Sequence, residues 1–440
     1  MLQRKIEQTL WDWKNNPEKK PLLIKGVRQC GKTYIVQHFA ENNYRNVVYV
    51  NFFEHPEYAK AFSGALDVDT IIGNLSAAIP GAMFAANETC IIFDEIQECP
   101  VARTSFKFFK IDGRFDVIAT GSLLGVIGYS NDKRVSIPVG YESIIEMKPL
   151  DFEEFLWANI INANVFDTLR QCFQERKPVP ELIHESMRKL FFQYIVVGGM
   201  PEAVNTFIAT HDMNQVHTVQ TDILKSYEDD MIKYAPTTYK ALLRETFHSI
   251  PRQLSRENKK FQYSLVKRGG RASAFMGVLQ WIEDAGIIVR CYNLNNLELP
   301  LDGNADNDVF KVYMSDTGLF VSMLEPESKF DILQGNLLGY KGAIFENAVA
   351  DLLTKAGRKL YYFHKDSGLE IDFVIRQNNE CVLLEVKAAT GNTKSAKTIL
   401  KNFDKYHVTK AIKVGDYNIG EMGGILTLPH YMVMSGVMGR

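Results

Sequence analysis

Residues 21–39, PLLIKGVRQCGKTYIVQHF, run from an apolar strand through Gly26, four intervening residues and Gly31-Lys32-Thr33 into an apolar-periodic stretch. Strand, glycine-rich turn and helix in that order are the required context of a Walker A motif. The glycines let the backbone curl, so that its N–H groups and the helix N-terminus surround phosphate oxygens. Lys32 is then placed to reach the outer phosphates and Thr33 to ligate Mg²⁺. Gly26, Gly31, Lys32, Thr33 and Tyr34 are the nucleotide-contacting residues expected from this stretch. The plain alternative is a glycine-rich turn with no ligand.

Downstream, TCIIFDEIQ (89–97) is a continuous apolar run ending in Asp94-Glu95. Such a run suits a buried parallel strand that delivers its acids at the carboxyl end. Asp94 is expected to hold Mg²⁺ through water, and Glu95 to polarise the attacking water. FDVIATGS (115–122) supplies a further strand ending in Thr120-Gly121-Ser122, whose hydroxyls are candidates for sensing the terminal phosphate, and Ser122 joins the cofactor-binding set. NVVYVNF (46–52) is another strand, with helical segments between. Alternation of strands and helices predicts a parallel sheet covered on both faces.

The chain around this motif has 440 residues, 46% of them hydrophobic and 23% charged, enough for about three domains. A formal charge of −2 excludes a chain that is basic throughout, so nucleic acid would have to meet a local patch. No apolar run reaches the roughly 18 to 20 residues of a membrane span, and the first residues lack a signal-peptide pattern, which predicts a cytoplasmic protein without a membrane partner. Cys30, Cys90, Cys99, Cys172, Cys291 and Cys381 are scattered without a C-x-x-C pair and read as reduced thiols.

GVRQCGKT, IIFDEIQE, IATGSLL and KPLDFEEFL, followed by GGMPEAV and SDTGLF, closely resemble the prokaryotic AAA-type ATPases whose chains end in a domain of unknown function with a restriction-endonuclease-like fold. The resemblance covers nearly the whole chain. It implies an α/β protein: a P-loop NTPase parallel sheet (1–148), a helical lid (149–245), a winged-helix region (246–334) and a C-terminal α/β restriction-endonuclease-like domain (335–440). Where such chains often carry Gly-Arg before the last core strand, this one has Gly140-Tyr141, so no arginine finger is assigned there; Arg103, Arg114 and Arg134 are candidates. Helical spacing from 149 to about 245 supports the lid, and the acids of SYEDDMIK read as a solvated helix face. In residues 255–295 a short helix, Gly269-Gly270, a longer helix and a strand fit a winged helix. Lys259, Lys260, Lys267, Arg268 and Arg271 cluster around that turn and make DNA a candidate partner, although the module also suits an internal linker.

In the last domain, GLEIDFVIRQNNECVLLEVK (368–387) reads as a hairpin turning on Asn378-Asn379. Continuing that register places Asp372 opposite Glu385 and Glu370 opposite Lys387, on one surface. Like charges directly opposite are destabilising, and a divalent cation between Asp372 and Glu385 would offset them. Glu346 lies three, four and seven residues before Val349, Ala350 and Leu353, hence on the apolar side of its helix. Glu346, Asp372, Glu385 and Lys387 form the acid, acid, Glu-x-Lys set of metal-dependent nucleases, with the acids holding Mg²⁺ and the lysine orienting the nucleophile. A structural salt-bridge cluster, or a nuclease-like fold that binds without cutting, are the competing readings. The expectation is an ATP- and Mg²⁺-binding hydrolase, possible as a homo-oligomer, coupled to a Mg²⁺-dependent nuclease-like domain. The alternative is an ATP-switched regulator that binds DNA or protein through an inert domain.

Overall fold

The computed structural model describes all residues except 1, 124–137, 257–258, 337–339, 389–390 and 434–440. Arg134 therefore lies outside the described residues. The chain divides into two compact units, one formed mainly by residues 3–149 and the other mainly by 150–283 and 287–440.

In the first unit, β1 (Leu22–Gly26), β2 (Asn46–Asn51), β3 (Thr89–Asp94), β4 (Asp116–Ser122) and β5 (Ser143–Met147) form a five-stranded sheet in the order β2-β3-β4-β1-β5. Every pairing is parallel. All six residues of β3 are buried, as a strand covered on both faces demands. Phe52, Phe62 and Phe93 pack with ring centroids 5.4 to 5.8 Å apart and fix one face of the sheet. The register sets Gly26 beside both Ser122 and Met147, and Asn51 beside Asp94. The chain ends that carry the motifs are thus collected along the carboxyl edge, where open α/β sheets bind ligands.

The second unit begins with helices. Residues 152–158 start on a capping box in which the Asp151 carboxylate accepts from Glu154 N at 2.9 Å and the Glu154 carboxylate accepts from Asp151 N at 3.0 Å. The DFEE of the family-like motif is therefore a helix start. Every described regular element from there to residue 284 is helical. Two mixed sheets follow. One has the order β7-β6-β8-β9, built from β6 (Ile288–Leu294), β7 (Ala305–Met314), β8 (Leu360–His364) and β9 (Glu370–Ile371). Because β6 pairs with β8 at Cys291↔Leu360, this sheet crosses the expected boundary between residues 334 and 335. The other has the order β10-β11-β12-β14-β13, from β10 (Phe373–Gln377), β11 (Glu380–Val386), β12 (Lys410–Gly415), β13 (Gly420–Met422) and β14 (Ile425–Pro429). The helix Lys341–Lys355, most of whose residues are buried, carries Glu346.

GGMP, expected to break the helical set and start a new helix with Pro201 in its first turn, does so at Pro201–Thr210, and it meets SDTG in this unit. The Asp316 carboxylate accepts from Gly199 N at 2.7 Å and Leu319 N at 3.1 Å. Lys355 Nζ lies 3.2 Å from Asp316, 2.8 Å from Asp351 and 3.0 Å from the Tyr194 hydroxyl, all buried. A Cβ on Gly198 would come within 2.2 Å of Asp316 Oδ1, and one on Gly199 within 2.0 Å of the Leu150 carbonyl, so neither position admits a side chain. The cluster ties the helices of 181–210 to the far end of the helix that bears Glu346.

Candidate functional site

In the first unit the P-loop leaves β1 at Gly26, where a Cβ would lie 2.4 Å from the Met147 carbonyl. Gly31, at φ +92°, turns the chain into the helix Lys32–Asn43. Lys32 is buried, and its ammonium donates to the carbonyls of Gly26 at 3.1 Å and Val27 at 3.0 Å. Tyr34 is 58% exposed and stacks on His38 with ring planes 2° apart.

Asp94, only 2% exposed, is the hub. The Thr33 hydroxyl donates to its two oxygens at 3.0 and 3.1 Å, the Tyr49 hydroxyl at 2.6 Å, and the Thr120 hydroxyl bonds to Oδ1. Burial and the bond to Asp94 push the Tyr49 phenol above its ordinary range. All three strong donors are neutral hydroxyls, and none is an ammonium group. Thr120 serves Asp94, while Ser122 N lies 3.4 Å from the Gln97 amide oxygen. Glu95 is held at φ +52° and its carboxylate accepts from the Gln97 side chain. A non-glycine residue kept in that region costs about 1–3 kcal/mol. Tyr49 and Asn51 escaped the sequence reading; the signal was their alternation with buried Val48 and Val50 on β2 and Phe52 just after it. Among the finger candidates, Arg103 makes a two-point pair with Glu142 at 2.9 and 2.6 Å, and Arg114 pairs with Asp69 and Asp112.

Hard oxygen donors from Thr33 and Asp94 converging beneath a phosphate-type loop fit Mg²⁺. When bound with a nucleotide the ion would supply neutralisation of phosphate charge.

The C-terminal acids present a different arrangement. The hairpin has the expected register from Phe373↔Leu384 to Gln377↔Glu380, with Asn378 at φ +55°. The ladder ends there, correcting the extension to residues 370–372: Glu370 pairs with His364 on β8 and does not face Lys387. Asp372 sits in the break between β9 and β10, where its carboxylate accepts from Val386 N at 2.8 Å. Glu385 accepts from Ala396 N at 2.9 Å and pairs with Lys387 at 2.9 Å. Glu346, 2% exposed, has both oxygens committed. Lys311 Nζ lies 3.0 Å from Oε1 and 3.1 Å from Glu370, the Tyr313 hydroxyl donates to Oε1, and Lys259 pairs with Oε2.

Burial alone would raise the Glu346 carboxyl; Lys259 and Lys311 instead hold it down at about 2. Burial and then the Glu346 charge push Asp372 up to about 6. Burial would lower Lys387, but its bond to Glu385 and the charge of Asp372 raise it. The expected acids and lysine are thus gathered, joined by Lys259, Lys311 and Tyr313, which the sequence reading did not place there. As arranged they do not fit a divalent cation, because ammonium groups already neutralise Glu346. Among the described residues no group of three or more His, Cys, Asp or Glu side chains is placed to hold a metal.

Sheet order and P-loop give the first unit a P-loop NTPase fold. Residues 18–156 match the family model described as an AAA domain. Residues 188–329 and 341–429 match two domains of unknown function, DUF8612 and DUF4143. A search of curated proteins returned no match. Solved structures similar to the chain include the Walker-type ATPase PABY2304 of Pyrococcus abyssi, 12% identical over 73% of this chain and 96% of that one, TM-score 0.43. The Aeropyrum pernix Orc1 protein in complex with DNA is 10% identical over 75% and 90%, TM-score 0.28. AMPPCP-bound DnaA from Aquifex aeolicus is 12% identical over 64% and 86%, TM-score 0.29. Among the described residues no helix is long and apolar enough to cross a membrane.

Proposed function

We propose that the chain binds and hydrolyses ATP with Mg²⁺ and that the nucleotide acts on a nuclease-like C-terminal domain that acts on or binds DNA. The observation that carries the first half is the convergence of Thr33, Tyr49 and Thr120 on Asp94 beside a P-loop whose lysine is already turned inward. Lys32 binds the phosphates, Thr33 and Asp94 hold the ion, and Glu95 orients water. Support for a DNA partner is local: Lys267, Arg268 and Arg271 are exposed beside the Gly269-Gly270 turn, which suits the phosphate contacts of a winged helix.

One observation favours the second reading, a regulator that recognises DNA or protein through an inert nuclease-like domain: Glu346 is neutralised by lysines of the preceding region. The test is nucleotide binding and turnover, beside DNA cleavage with and without ATP. Lys32→Ala is expected to abolish nucleotide binding, and Glu95→Gln to keep binding and lose turnover. Equal nucleotide affinity in wild type and Lys32→Ala would overturn the ATPase reading. Cleavage lost with Asp372→Asn would support the nuclease; no cleavage of any DNA under any nucleotide condition would leave the regulator.

A further inference from the structure

The misfit between an acid set of nuclease type and its surroundings has a specific origin. The centre holds four carboxylates, Glu346, Glu370, Asp372 and Glu385, against three ammonium groups, Lys259, Lys311 and Lys387, one net negative charge when all are ionised. The three lysines are not equivalent. Lys387 pairs with Glu385 and belongs to the same strand end. Lys311 is 1% exposed, bridges Glu346 and Glu370, and lies 4.8 Å from the Tyr362 ring centre. Its departure would strand two carboxylates. Among the described residues Lys259 makes one ion pair, to Glu346, and its side chain is 18% exposed. It lies two residues before Phe261, whose N–H bonds the Phe310 carbonyl at 2.8 Å. Removing its charge would leave four carboxylates against two ammonium groups, a net charge of −2 that matches one divalent cation.

We infer that Lys259 is an exchangeable internal counter-ion, which occupies Glu346 in place of a divalent cation and must leave before one can bind the acid centre. The inference rests on the nuclease-like reading of that centre and adds its control element. Lys259 is thereby removed from the residues available to DNA phosphate while it is docked.

The probe is Mn²⁺ binding to the nucleotide-free full chain, in a Lys32→Ala background so that the P-loop is not loaded, followed by titration calorimetry and thermal unfolding. Lys259→Gln and Lys259→Met are expected to bind Mn²⁺ at least about tenfold more tightly than the parent, because one nearby positive charge is gone. They are also expected to unfold at lower temperature without metal and recover with it. Lys259→Arg, which keeps the charge, is expected to behave as the parent, and adding Asp372→Asn to Lys259→Gln is expected to abolish the gain. If parent and Lys259→Gln bind Mn²⁺ equally well through Asp372, the acid centre is a metal site and the counter-ion inference fails. If neither binds, the metal reading of the centre falls with it. Neutral variants that stay unfolded with and without Mn²⁺ also overturn the inference, since the lysine is then irreplaceable.

Discussion

Asp94 and Glu346 are both buried carboxylates at 2% exposure, each surrounded by three strong side-chain donors, yet they are built for opposite ends. Asp94 is held by the hydroxyls of Thr33, Tyr49 and Thr120, which orient it and carry no charge of their own. Glu346 receives the Tyr313 hydroxyl and the ammonium groups of Lys259 and Lys311, which cancel its charge. Neutral donors prepare a carboxylate for an external cation, whereas internal cations make it part of the fold. The identity of the donors, rather than the acid itself, decides which role a buried acid takes.

The sharpest way to break this comparison is to neutralise each acid. Glu346→Gln leaves Lys259 without its anion and Lys311 with only half-exposed Glu370, and is expected to destabilise the protein by about 3–5 kcal/mol. Asp94→Asn leaves only neutral partners and is expected to cost about 1 kcal/mol. Urea unfolding of both variants without nucleotide measures the difference; equal losses would remove the distinction.

Asp372 offers a pH-resolved version. Its folded carboxyl is raised to about 6 from an ordinary 3.8, so ionising it costs the folded state more than the unfolded one. Its contribution is most favourable below about pH 4 and is lost as pH rises through about 6. Asp372→Asn is therefore expected to gain about 3 kcal/mol over wild type near pH 8 and nothing near pH 4. Glu346 has the opposite sign. Held at about 2, it contributes stability above about pH 4.5 that is lost as pH falls through about 2. A gain from Asp372→Asn that does not vary with pH would contradict the crowding of Asp372 by Glu346.

The smallest effect concerns the basic turn. Replacing Lys267, Arg268 and Arg271 together by Ala is expected to weaken DNA binding and make its log–log salt dependence shallower by up to about three units. An unchanged slope would make the module an internal linker.

What could be read from sequence follows the range of the interactions. Walker A, the Asp94-Glu95 strand end and the hairpin register from Phe373 to Leu384 are written in neighbouring residues, where turn chemistry and periodicity act. The break at Asp372 was not legible, because β9 leaves the hairpin to pair with β8, and no local pattern announces a change of sheet. The lysines on Glu346 come from 87 and 35 residues away. One trace of them was visible: Lys311 and Tyr313 alternate with Phe310, Val312 and Met314 on a strand that buries all five. A lysine in such a strand requires a buried anion. GGMP and SDTG were likewise recognisable as motifs while their meeting through Asp316 and Lys355 was not, since it joins segments more than a hundred residues apart.

The most direct test counts ions. With a non-hydrolysable ATP analogue and Mn²⁺ on the full chain, electron paramagnetic resonance should find one tightly bound ion per chain. That ion should be lost in Asp94→Asn and kept in Glu346→Gln. A second tight ion that disappears with Glu346→Gln, or an ion that survives Asp94→Asn, would contradict the assignment of one acid to an external cation and the other to internal ones.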